Sequence, residues 1–128
     1  MTSKIKYMMF FLFASFYCFN TVAQEDKRMV RLAKLVIDPA QLATYNALLK
    51  EEIETSLKIE PGVLTLYAVA EKEKPTHITI LEIYADSQAY KKHIQTPHFL
   101  KYKNGTQDMV KSLELIDAIP LLPAMTIK

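Results

Sequence analysis

The stretch EPGVLTLYAVAEKEKPTHITILEIYAD, residues 60–86, decides the fold. Pro61-Gly62 stops whatever precedes it. Val63–Ala70 is rich in branched and aromatic residues and predicts a strand. Glu71-Lys72-Glu73-Lys74-Pro75 is a charged turn, and Thr76–Tyr84 predicts a second strand, so the two form a hairpin. Asp86 or Ser87 then offers an N-cap for a helix running to about Gln95.

Working outward, Met29–Ile37 is a short apolar run with β-branched residues and predicts an earlier strand. Asp38-Pro39 supplies an N-cap and a first-turn proline. Leu42, Tyr45, Leu49, Ile53 and Leu57 recur at helical spacing, which predicts an amphipathic helix over 39–58 with Glu51, Glu52 and Glu54 mainly on its solvated side. Downstream, Thr96-Pro97 interrupts the second helix. Phe99, Tyr102, Thr106 and Met109 continue a helical stretch, and Ser112–Leu122 predicts a last strand closed by Pro120 and Pro123. The order β-α-β-β-α-β is the split βαβ pattern of a ferredoxin-like α+β fold.

Two helices cover one face of a four-stranded sheet, so a monomer needs a polar second face. The strands do not offer one. Leu64, Leu66 and Ala68 alternate with Val63, Tyr67 and Val69, while Ile78 and Ile80 alternate with Leu81 and Ile83. Two sheets packed face to face in a homodimer would cover both sets. A loosely patterned wet face is the competing reading.

The chain has 128 residues, 50% of them apolar and 23% charged, with a formal net charge of +2 and one cysteine. This suits one globular domain and leaves no disulfide framework and no Cys-based zinc site. Bulk charge gives no sign of a nucleic-acid partner. Composition shifts sharply at the start. Five of the six phenylalanines and Cys18 fall before Asn20, after Lys4 and Lys6 and within the apolar run Met8–Phe19. A basic start, a short apolar stretch and a small residue at Ala23 describe a signal peptide, residues 1–23, cleaved to expose Gln24. Twelve residues reach only ~18 Å as a helix, against a bilayer core of ~30 Å. The expectation is a periplasmic or secreted domain over 24–128, with no stable membrane span after cleavage; a retained anchor is the rival. Without Lys4 and Lys6 the 16 basic residues fall to 14, equal to the 14 acidic ones. Without Cys18 no thiol chemistry remains.

Among candidate chemical groups, His93 shares a helix face with Ala89, Tyr90 and Ile94 that must point at the sheet. An inward histidine can act as a proton acceptor, or can simply be a core residue satisfied by a carbonyl. His98, at the helix break, can cap a turn or edge the same cavity, and His77 belongs beside the charged turn in solvent. Glu82 lies inside an apolar strand and needs a partner; Arg31 or Lys34 would make a structural ion pair. Tyr45, Tyr67, Tyr84, Tyr90 and Tyr102 suit a pocket for a flat aromatic ligand, and equally suit core filling. His93 and His98 are five apart across a proline, so a shared helix face for a metal is not indicated. There is no HExxH, and two glycines rule out a phosphate loop.

Glu60-Pro61-Gly62-Val63-Leu64, Leu81-Glu82-Ile83-Tyr84-Ala85-Asp86, Ala89-Tyr90-Lys91-Lys92-His93 and Thr96-Pro97-His98-Phe99 together resemble the antibiotic biosynthesis monooxygenase domain, in its quinol-monooxygenase-like branch, over about residues 28–120. The resemblance implies a dimeric α+β barrel. It implies oxidation of a phenolic or quinol-like aromatic by O2 without metal or flavin, so no cofactor, with His93 as base; Tyr84, His98, Tyr67 and Tyr102 are the expected pocket residues. Tyr84 stands where many relatives carry tryptophan, and Lys103 where haem-degrading relatives carry histidine, which argues against haem chemistry. A non-catalytic small-molecule binding protein, or an isomerase-like or haem-related fold-mate, is the alternative.

Overall fold

The structure is a computed structural model that describes residues 25–122. The expected leader, residues 1–23, and Pro123 lie outside the described residues. Strand β1 spans Met29–Ile37. The Asp38 carboxylate then accepts a hydrogen bond from the Ala40 amide at 3.0 Å, and Pro39 opens a single tight turn that leads into α1, Leu42–Ile59. Strand β2, Val63–Ala70, and strand β3, His77–Tyr84, form the expected hairpin. Helix α2, Ser87–His93, starts at Asp86, whose side chain accepts from the Ala89 amide at 2.7 Å. Helix α3, Pro97–Thr106, starts at Thr96, whose hydroxyl donates to the His93 carbonyl at 2.7 Å and accepts from the Phe99 amide at 3.3 Å. That one hydroxyl therefore closes α2 and opens α3. Strand β4 is Val110–Ala118, beginning two residues earlier than expected and ending four residues sooner.

The sheet order is β2-β3-β1-β4, antiparallel throughout, which is the ferredoxin-like α+β fold. Register assigns the faces. Ala33 pairs with Ile80 and Leu35 with Ile78, and these side chains are buried beneath the helices with Ile37, Tyr45 and Leu49. A register shift between Val63 and Thr65 turns Val63 inward beside Leu66 and Tyr84 and leaves Leu64 exposed. A bulge inserts one residue into the alternation, so simple parity along β2 misplaces its first residues. Leu66 and Ile80 both belong to this helix-covered core.

The opposite face carries Leu32, which pairs with Leu81 on one side and Ile116 on the other, and Tyr67 beyond Leu81. Tyr67 is 62% exposed there and Val69 is 47% exposed. On the helix-covered face, the helices stop short of β4. Leu113 and Leu115 lie on that face and are nevertheless half exposed.

Helix α1 departs from the expected stripe. Its buried residues are Tyr45, Leu49, Glu52 and Ser56, whereas Leu57 is exposed. Glu52 follows Leu49 by three and Tyr45 by seven, so it belongs to the inward stripe and not to the solvated side. A buried carboxylate there has to be matched by polar partners, and α2 supplies one.

Gly62 has ordinary backbone angles, so space dictates its identity. A Cβ at this position would sit 2.6 Å from the Ala89 Cβ. The Gly62→Ala variant is expected to lose about 1–3 kcal/mol by overpacking α2 against the turn. Chemical denaturation measures this, and an unchanged midpoint would show that α2 yields without cost.

Candidate functional site

The gap between the helices and the sheet, open over β4, is a cavity of about 360 Å³. Arg31, Ala33, Leu66, Ile80, Glu82 and Tyr84 form its sheet wall, and Leu113 and Leu115 stand at its β4 side. Glu52 and Ile53 from α1, Tyr90 and His93 from α2, and Phe99, Tyr102 and Lys103 from α3 form its helix wall. Aromatic rings form a continuous series across both walls. Tyr90 meets Tyr84 at 5.3 Å between centroids, Tyr84 meets His93 at 5.4 Å, and His93 meets Phe99 at 5.1 Å. Phe99 meets Tyr102 at 6.3 Å, and the Tyr102 hydroxyl is 2.7 Å from that of Tyr45. Such a surface suits the flat face of an aromatic molecule.

His93 is held between two carboxylates. Its Nδ1 is 2.9 Å from Glu60 Oε2, and its Nε2 is 3.4 Å from Glu52 Oε1. The Ser56 hydroxyl donates to the same Glu52 oxygen at 2.7 Å. His98 Nε2 reaches Glu60 Oε2 at 2.6 Å. Burial would raise the Glu60 carboxyl, but hydrogen bonds from His93 and His98 outweigh it and hold the group below its ordinary value. An ionised Glu60 accepts, so His93 carries a proton on Nδ1 and His98 one on Nε2. Glu52 is raised instead, chiefly by burial, with Ser56 and His93 opposing.

Glu82 is the second acid of the cavity. Burial pushes its carboxyl up to about 7, with Arg31 and Tyr84 opposing and Glu52 adding to the rise. Burial also raises the phenols of Tyr84 and Tyr102, so both stay neutral donors at ordinary pH. Arg31 lies with its guanidinium 4.6 Å from the Tyr90 ring centroid and forms an ion pair with Asp117 at 2.8 Å.

His93, Tyr84 and Tyr102 thus come together at the cavity as the sequence suggested. Two expected pocket residues do not. Tyr67 pairs with Leu81 on the far face of the sheet, because it lies one residue from Leu66 and alternation sends it the other way. His98 binds Glu60 behind the His93 ring and does not line the cavity. The expected structural ion pair of Glu82 is also corrected. Arg31 stands opposite Glu82 across β1 and β3 but is paired with Asp117, and Lys34 is exposed beside Thr79 on the other face. Glu82 is therefore a cavity acid.

Sequence reasoning missed Glu52 and Glu60. The inward position of Glu52 was legible from its spacing to Tyr45 and Leu49. That of Glu60 was not, since it depends on where α2 and α3 settle. Across the proline break, Glu60, His93 and His98 also bring three possible ligand atoms within 4.8 Å of one another, which the five-residue spacing of the histidines did not suggest.

A ferredoxin-like α+β domain with an acid-bearing aromatic cavity open over β4 defines a small-molecule-handling class. Residues 28–105 match the antibiotic biosynthesis monooxygenase family, and the chain belongs to it. A solved protein from Bacteroides thetaiotaomicron, provisionally named an antibiotic biosynthesis monooxygenase, is 67% identical, with 80% of this chain and 97% of that one covered and a TM-score of 0.79. A provisionally named monooxygenase from Lactobacillus acidophilus is 29% identical over 74% of this chain and 45% of its own, with a TM-score of 0.72. A conserved protein from Methanosarcina mazei is 26% identical over 73% of this chain and 92% of its own, with a TM-score of 0.67. No curated protein matches the chain.

The Glu82 shift has a signed consequence for stability. The folded chain holds this proton up to about pH 7, against an ordinary value of 4.5, so the folded state is favoured at low pH and loses that advantage as pH rises between the two. Replacing Glu82 with glutamine removes the titration. The melting temperature of the variant should therefore gain on the wild type from about pH 5 to about pH 8. A constant difference across that range would show that Glu82 titrates normally.

Proposed function

We propose that the chain is a monooxygenase that oxidises a small phenolic or quinol-like aromatic with O2 inside this cavity. The observation that carries the reading is the aromatic-walled cavity with a carboxyl titrating at about 7 on its sheet wall. Family membership supports the reaction class.

In the proposed reaction the aromatic substrate is itself the reductant. A phenol bearing hydrogen on the carbon opposite its hydroxyl reacts with one O2; one oxygen atom becomes the new carbonyl of the quinone product and the other leaves as water. The chain's part is to take the phenolic proton and to keep the resulting anion away from bulk water until oxygen reacts. Glu82 Oε is suited to accept the proton, because its carboxylate form appears near neutrality. His93 has both ring nitrogens facing carboxylates, so its action on substrate runs through Glu52 at the cavity surface. The neutral phenols of Tyr84 and Tyr102 are suited to donate hydrogen bonds to a developing phenolate. Tyr90 and Phe99 offer faces for the ring.

Oxygen uptake with a panel of phenols and naphthols that carry hydrogen opposite the hydroxyl tests this. Turnover should rise with pH through about 7 as Glu82 ionises. The Glu82→Gln variant should stay folded and lose roughly 10²–10⁴-fold in turnover. Tight ligand binding with no protein-dependent oxygen uptake across the panel would replace this reading with a non-catalytic binding protein.

A homodimer joined through the outer sheet face belongs to the same proposal. It is supported by the apolar row Tyr67, Leu81, Leu32 and Ile116 that no helix covers among the described residues. Leu81→Asp should convert a sedimenting dimer to a monomer, since an unpaired charge at a buried interface costs about 3–5 kcal/mol. A monomeric wild type at micromolar concentration would overturn the dimer. Export is proposed on the basic start, apolar run and Ala23 of the first 23 residues. Gln24 is then the expected first residue of the native protein by mass spectrometry.

A further inference from the structure

Behind the cavity wall, three side chains from three places in the fold converge on one point. Glu60 follows the end of α1, His93 is the last residue of α2, and His98 is the second residue of α3. Glu60 Oε2 lies 2.9 Å from His93 Nδ1 and 2.6 Å from His98 Nε2. All three ligand atoms fall within 4.8 Å of one another. Glu60 and His98 do not line the cavity, and His93 lines it while turning its Nδ1 to Glu60, away from Glu52.

We propose that Glu60, His93 and His98 bind one divalent transition ion of the Zn²⁺ class, on the side of the His93 ring turned away from the aromatic cavity. Two imidazoles and one carboxylate are the donor set of borderline ions such as Zn²⁺, whereas Mg²⁺ and Ca²⁺ prefer oxygen alone. Metal–ligand bonds of about 2.0–2.2 Å need only a slight opening of the present contacts. Three protein ligands leave a fourth position for water.

The surroundings are those of a metal-bound imidazole. An ion on His93 Nδ1 places the ring proton on Nε2, where Glu52 stands at 3.4 Å as acceptor. Glu52 is itself fixed by the Ser56 hydroxyl at 2.7 Å. A carboxylate behind the far nitrogen of a ligating histidine orients the ring and raises its basicity, and this chain has one in place. Side-chain exposure of 11% at Glu60 and 12% at His98, against 3% at His93, gives the ion an approach from solvent on the His98 side.

The test is isothermal titration of the full chain, stripped with chelator and freed of it, with ZnCl₂ alone. One equivalent is expected to bind per chain. His98→Gln and Glu60→Gln should each weaken binding by more than about tenfold while keeping the wild-type circular dichroism. His77→Gln and Cys18→Ser, which change the other histidine and the cysteine, should titrate as the wild type. Absence of saturable binding would overturn the site and leave a hydrogen-bonded clamp only. Binding undiminished in both ligand variants, or lost with His77 or Cys18, would overturn it equally. If both ligand variants unfold, the wild type bound to Co²⁺ decides. Intense visible absorption of a four-coordinate site upholds the proposal, and the weak spectrum of Co²⁺ in buffer overturns it.

Discussion

The Glu60 carboxylate holds the helical layer in place. It accepts from His93 at the end of α2 and from His98 at the start of α3, while its own backbone amide closes α1 onto the Ser56 carbonyl at 3.0 Å. Three helix termini therefore meet at one residue. The two side-chain contacts are charge-assisted and lie largely out of water, where such bonds are strong and their loss leaves a buried donor without a partner. The position of α2 decides where Tyr90 and His93 stand, and the position of α3 decides where Phe99 and Tyr102 stand. The helix wall of the cavity is in this sense an outcome of a single carboxylate.

That arrangement works against stability elsewhere. Glu52 and Glu82 are carboxyls removed from water, and both are raised because burial disfavours their charge. An apolar residue at either position would pack with less penalty. The two acids stand where a cavity adjoins them, while Ile37 and Ile78 lie in the apolar core and do not line it. The helices also leave Leu113 and Leu115 half exposed at the cavity's β4 side. A longer α3 packed over β4 would bury these leucines and close the opening. Tight packing on one half of the sheet and openness on the other separate the part that stabilises the fold from the part that can admit a molecule.

Much of the fold was legible in local pattern. The hairpin, the stop at Pro61-Gly62, the caps at Asp38 and Asp86, the break at Thr96-Pro97 and the order of elements follow from turn chemistry and periodicity, which act over a few residues. Family membership was likewise carried by short segments, since those segments are the turns and caps themselves. The inward position of His93 followed from its helix face. Other features were set between elements. The bulge after Val63 changes which residues of β2 face the helices, and no local signal in VLT marks it. Tyr67 was placed in the pocket by residue type, and strand alternation sent it to the other face. Arg31 stands directly opposite both Glu82 on β3 and Asp117 on β4 and forms its ion pair with Asp117, leaving Glu82 as a cavity acid. The meeting of Glu60 with His93 and His98 spans 33 and 38 residues of chain. Sequence by itself determined the elements, their order and the inward histidine, because those depend on neighbours within a turn or two. Only the tertiary structure decided which charges share a buried space, because that depends on how separate elements pack, and burial in turn sets how each carboxyl holds its proton.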